Sequence, residues 1–187
     1  EDEEVCVAAL KTIKSLGPGA AEFAPVMVKL LEDDSDNVRV AALLVLQGFG
    51  ERAAPYSHVV AGFLDDDNAE LRFAACLALC SLNQMALPHA GQVVALLDDG
   101  VLKIRIAALR ALSALGTLAE PLAHHVVKHL RCRNTEVQTE ALKVLVGLKQ
   151  NAARFVGDIA RLLYEDDDEL RAASLLALGS LGRAAVP

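Results

Sequence analysis

One interval governs this chain. The segments VCVAAL, VRVAAL, LRFAAC, IRIAAL, VQTEAL and LRAASL begin at Val5, Val38, Leu71, Ile104, Val137 and Leu170, 33 residues apart each time. A chain that repeats at such a period without insertion buries its apolar faces by stacking equivalent units on one another. Other positions keep the same interval. Pro55, Pro88, Pro121 and Pro187 share one phase, and Gly17, Gly50, Gly116 and Gly182 share another.

Each unit reads as two helices. Helix A is expected from about Pro55 to Leu64, with proline in its first turn, where a missing N–H costs nothing. Helix B is expected from about Ala69 to Leu82, with Leu71, Ala74, Ala75, Ala78, Leu79 and Leu82 on one face at helical spacing. It ends at Asn83, in the phase that elsewhere holds glycine, and both residues tolerate the left-handed conformation after a helix. The six B helices are placed near residues 4–16, 36–49, 69–82, 102–115, 135–148 and 168–181, with five A helices between them. Acidic runs such as Asp65–Asp67 form the A–B turns. Ser35, Asn68, Asn134 and Asp167 fall in one phase there as candidate N-caps of helix B. Carboxylates in that turn also face the positive end of the helix dipole.

The sequence of acidic turn, VRxAAL, LG and AAP resembles HEAT repeats, particularly the short HEAT-like type of the bilin-lyase family, over essentially the whole chain. HEAT units are usually longer than this period, which ankyrin repeats share, but ankyrin's TPLH turn is nowhere in the chain. The resemblance implies an all-α, right-handed α-solenoid of 33-residue two-helix repeats, with B helices on the concave side and A helices on the convex side. Residues 1–187 are expected to form a single array. The chain opens in a turn phase and stops at Pro187, where another helix A would begin, so a segment of a longer repeat protein is expected.

The resemblance also implies a ladder of acids and arginines between neighbouring turns: Asp33, Asp66, Asp99 and Glu165 in one phase, Arg39, Arg72, Arg105 and Arg171 in another. Within one unit it couples Arg72 to Asp66. In the fourth turn Cys132 replaces the acid and Gln138 the arginine, a joint loss that charge coupling predicts. That turn, RCRN, also sets Arg131 and Arg133 among otherwise acidic turns.

Helix B has a second side. At about 100° per residue, Val40 and Leu44 lie almost opposite the stripe of Val38, Ala42, Val45 and Phe49. Phe73, Leu77 and Ile106 continue this far side, and Lys103, Arg110 and Lys143 flank it. An apolar strip rimmed by positive charge fits a partner helix or extended peptide. The expected function is thus a non-enzymatic protein-interaction scaffold, itself a candidate subunit of a larger complex. The alternative is a HEAT-like subunit of a tetrapyrrole (bilin) lyase or chaperone, for which Cys80 is the one thiol near the strip.

Composition narrows the rest. The chain is 53% hydrophobic, mostly Ala, Leu and Val, and lacks Trp, which favours closely packed helices. A net charge of −7 argues against nucleic-acid binding. No apolar run reaches a membrane-spanning length. Cys6, Cys76, Cys80 and Cys132 show no paired framework, so an intracellular, reducing compartment is expected. His125, His129 and Cys132 come close together in HHVVKHLRC, but His129 holds a core phase and no fourth ligand is evident, so no metal and no cofactor are expected. No phosphate loop, GxSxG or HExxH occurs, and no catalytic residue is assigned.

Overall fold

A computed structural model describes residues 3–181 of the chain. Two compact units divide it, Glu1–Ala111 and Leu112–Pro187. The first unit contains α1 (Glu3–Ser15), α2 (Ala24–Leu30), α3 (Asp36–Phe49), α4 (Ser57–Ala61), α5 (Ala69–Ser81), α6 (Ala90–Ala95) and most of α7 (Leu102–Ala114). The second contains α8 (Ala123–Val127), α9 (Thr135–Gly147), α10 (Val156–Arg161) and α11 (Asp168–Leu181). Among the described residues there is no strand. Gly182 and Pro187, which the repeat phases include, lie outside the described residues.

The long helices α1, α3, α5, α7, α9 and α11 are the B helices, each within a residue of its expected bounds. Their buried stripe explains why they form. In α3, Val38, Ala42, Val45 and Phe49 are each at most 2% exposed, and Val137, Ala141 and Val144 of α9, with Leu148 just after it, match them. The equivalent residues in and just after α1 are less covered, with Val5 and Leu16 66% and 60% exposed.

Helix A differs from expectation. Pro55 lies inside a 3-10 segment, Gly50–Tyr56, and the α-helix begins only at Ser57. Proline cannot donate the next hydrogen bond, and its ring crowds the preceding turn. Yet Gly17–Phe23 and Lys149–Phe155 wind in the same way with Glu22 and Arg154 at the proline phase. Proline therefore fits this tighter winding and does not cause it. What all five segments share is the backbone conformation of their first residue.

Gly17, Gly50, Asn83, Gly116 and Lys149 all have a positive φ, between 52° and 59°, at the point where helix B stops and the chain turns into helix A. Three are glycine and one is asparagine, which tolerate it; Lys149 does not, because its Cβ crowds the following carbonyl. Lys149→Gly should therefore stabilise the protein by about 0.5 to 1 kcal/mol, the relief exceeding the added flexibility of the unfolded chain. The check is a rise in denaturation midpoint at unchanged slope. A lower midpoint would show that the lysine stem makes packing contacts worth more than the strain.

Candidate interaction surface

The A–B turns are built by side chains bonding to main chain. Ser35 Oγ accepts from the Val38 N–H at 3.4 Å, Asn68 Oδ1 from Glu70 at 2.8 Å, Asn134 Oδ1 from Val137 at 3.0 Å and Asp167 Oδ1 from Leu170 at 2.8 Å. All four candidate caps thus satisfy a donor left over at a helix start. The acids two residues earlier fold the turn itself. Asp33, Asp66 and Asp99 each accept the N–H two residues on, at 2.8 Å. Val101, with no polar side chain in the cap phase, relies on Asp99 in this way.

The arginines clamp the same turns. Arg72 Nη1 donates to the main-chain carbonyls of Asp66 and Asp67, Arg105 Nη1 to that of Asp99 and Arg171 Nη1 to that of Glu165. Arg72 also reaches forward. Its Nε meets Asp99 Oδ2 at 2.8 Å and its Nη2 meets Asp99 Oδ1 at 3.3 Å, a two-point contact across 27 residues. The coupling of Arg72 to the Asp66 side chain is thus corrected: Arg72 holds the Asp66 carbonyl and the carboxylate of the following turn.

The ladder is not uniform. Arg39 bonds to Asp36 and Arg171 to Asp168, each three residues back in its own helix. At the equivalent position Arg72 has Ala69, so no local carboxylate competes for its guanidinium. The residue at the helix start decides whether the arginine pairs locally or across turns. The joint loss of Cys132 and Gln138 is corrected as well. With a 27-residue offset these two belong to different rungs, so pairing within one unit does not explain their loss together. Gln138 instead keeps the turn clamp, its buried Nε2 donating to the Leu130 carbonyl at 3.1 Å.

On the far side of the B helices, a groove of about 540 Å³ lies between α1 and α3. Val7, Leu10, Val40 and Leu44 line it, with Lys11 and Lys14 toward one end and Glu3 and Glu4 toward the other. On α5, Phe73 and Leu77 are half-buried. Lys103 does not stand as a free rim charge there. Its Nζ sits 4.8 Å from the Phe73 ring centroid, and it pairs with Glu70. Ile106 is only 6% exposed, so it is core and not contact surface, a correction to the expected strip. Arg110 is exposed. In the second unit, Lys143 pairs with Glu140 at 3.1 Å and lines a smaller groove of about 280 Å³ with Val146 and Leu176.

Among the described residues, no group of three His, Cys, Asp or Glu could hold a metal ion. Cys76 is buried, and desolvation followed by the nearby Cys80 pushes its thiol pKa up, away from reactivity. No single described helix is long and apolar enough to cross a membrane.

Stacked two-helix units with capped, arginine-clamped turns define the class: the fold is that of HEAT- and armadillo-like α-solenoids. Residues 1–80 match the model of HEAT repeats. Among solved structures, the chain is similar to an engineered protein (TM-score 0.78, 20% identity, 95% of this chain and 89% of that one). It is as similar to a designed armadillo repeat protein in complex with peptide (KR)4 (TM-score 0.78, 19% identity, 94% and 91% covered). A third is the archaeal HEAT-like repeats protein from Thermococcus onnurineus NA1 (TM-score 0.66, 16% identity, 95% and 78% covered). No curated protein matches the chain.

Proposed function

We propose that this chain is a non-enzymatic scaffold that takes a peptide or helix of a partner protein on the far face of its B helices. The observation that carries this reading is the α1–α3 groove. Its floor is apolar, from Val7, Leu10, Val40 and Leu44, while charged residues stand at both ends. Such a shape takes apolar side chains at its centre and fixes their direction by charge at its rim. The likeness to a designed armadillo protein that holds a peptide supports the reading through the fold.

A displayed library of random peptides, selected on the wild-type protein, supplies the test. Val40→Asp with Leu44→Asp should weaken the selected peptides by tenfold or more, since about 1 to 2 kcal/mol rests on each central apolar contact. Both side chains are half-buried and off the core stripe, so helicity by circular dichroism should be retained. Selected peptides that bind the double variant as well as wild type would refute the groove.

A further inference from the structure

The turn at 131–133 breaks a rule of charge that the other turns keep. Residues 32–34 read Glu-Asp-Asp, 65–67 Asp-Asp-Asp, 98–100 Asp-Asp-Gly and 164–166 Tyr-Glu-Asp, but 131–133 read Arg-Cys-Arg. The middle residue loses its acid, and Cys132 Sγ contacts the Asn134 carbonyl at 3.4 Å. Its neighbours Arg131 and Arg133 are both exposed.

The inversion extends along the short-helix side of the second unit. Lys128, Arg131, Arg133, Lys149, Arg154 and Arg161 lie within 116–133 and 149–163, a third of the chain's 18 basic residues, and the same two segments hold two acids, Glu120 and Asp158. Arg131 Nη2 meets Asp158 Oδ1 at 2.8 Å, which ties the turn to α10. Arg161 follows Asp158 by one helical turn, and Lys128 precedes Arg131 by three residues, so basic residues recur at helical spacing on both sides of this pair. Arg154 engages Glu120 at 3.4 Å. Both acids are therefore met by a cation already, and Arg133 and Arg161 form no ion pair among the described residues. His124 and His125 add two adjacent imidazoles, with ring centroids 3.9 Å apart.

We propose that this short-helix face of the second unit, centred on Arg131, Arg133 and Arg161, docks a short acidic peptide segment of a partner protein. Guanidinium groups offer paired donors that match carboxylates. The patch is short, because the exposed Glu165 and Asp166 of the next turn bound it, and that length suits a few carboxylates. A nucleic acid would carry its charge well beyond the patch and meet the repulsion of a chain at −7. This site belongs to the second unit and the α1–α3 groove to the first, and the proposal does not depend on that groove.

The experiment is fluorescence anisotropy with a fluorescein-labelled peptide rich in Asp and Glu, titrated with the full chain at low and at physiological salt. Saturable binding that weakens with salt is expected, with about tenfold or greater loss in Arg133→Glu with Arg161→Glu. Those two residues are chosen because neither holds an internal ion pair, and circular dichroism confirms the fold. The Val40→Asp, Leu44→Asp variant should bind the peptide as wild type does, and a peptide with Asn and Gln in place of the acids should not bind. Equal binding by the Arg133, Arg161 variant, or no saturation, overturns the proposal. So does a DNA duplex of equal charge that binds more tightly and is lost in the same variant.

Discussion

Arg72→Ala should destabilise the protein by about 2 to 3 kcal/mol, with most of that loss shared with Asp99 and little with the Asp66 side chain. The Asp99 side chain is 7% exposed and that of Arg72 18%, so the pair sits where lost contacts are poorly replaced by water. Alanine at 72 removes two contacts to Asp99 and two to main-chain carbonyls. It leaves a largely buried carboxylate with the Val101 N–H as its remaining donor. A double-mutant cycle over Arg72 and Asp99 should show coupling of about 1 to 2 kcal/mol, larger than a cycle over Arg72 and Asp66.

The pH dependence has a definite sign. Burial raises the Asp99 pKa, but the hydrogen bonds from Arg72 and the Val101 N–H outweigh it and hold the carboxyl below its ordinary value. A group depressed in the folded state contributes stability above its unfolded pKa, near 3.9, and loses it as pH falls through the folded value. The gap between wild type and Arg72→Ala should therefore be full at neutral pH and narrow below about pH 4. Urea unfolding of both proteins across that range measures it. A gap that stays constant would mean that Arg72 acts through the carbonyls alone.

Much of this could be read from the sequence because the repeat compares each position with its counterparts. The B helices, their caps at Ser35, Asn68, Asn134 and Asp167, and the stop at Asn83 all follow from phase and residue type. Lys149 could have been found the same way, since it occupies the phase of Gly116, but lysine carries no sign of a left-handed backbone. The ladder departs from expectation for a different reason. Phase shows which positions are equivalent and not which ones touch, and the 27-residue offset between Arg72 and Asp99 exists only once the turns stack. A further signal was present in Asp36 and Asp168, each one helical turn before an arginine and able to capture it. The 3-10 start of each short helix left no mark, because the proline at 55 is absent at 22 and 154 without any change in winding. The far side of the B helices was the least legible. A spacing of about 100° per residue gives the direction of a side chain but not what lies over it. Lys103 sets its charge over the Phe73 ring, an arrangement that residue types alone do not disclose.

Ile106 provides the sharpest separation between surface and core on that side. It shares its phase with Val7, Val40 and Phe73, which keep part of their surface in solvent, yet it is 6% exposed. Ile106→Ala should thus cost about 2 to 4 kcal/mol of stability, from lost transfer free energy and from the cavity left behind. Leu176→Ala, at a residue 76% exposed, should change stability by no more than about 0.5 kcal/mol. Leu44→Ala, in the floor of the groove, should lie between them in stability and exceed both in its effect on peptide binding. The three variants need unfolding midpoint and affinity for the same selected peptide measured side by side. If Ile106→Ala left stability within about 0.5 kcal/mol of wild type while weakening the peptide, the residue would be contact surface. The groove would then run on from α1 and α3 toward α7. A large loss of stability with affinity preserved at temperatures where the variant is folded places Ile106 in the core and confines the docking floor to Val7, Leu10, Val40 and Leu44.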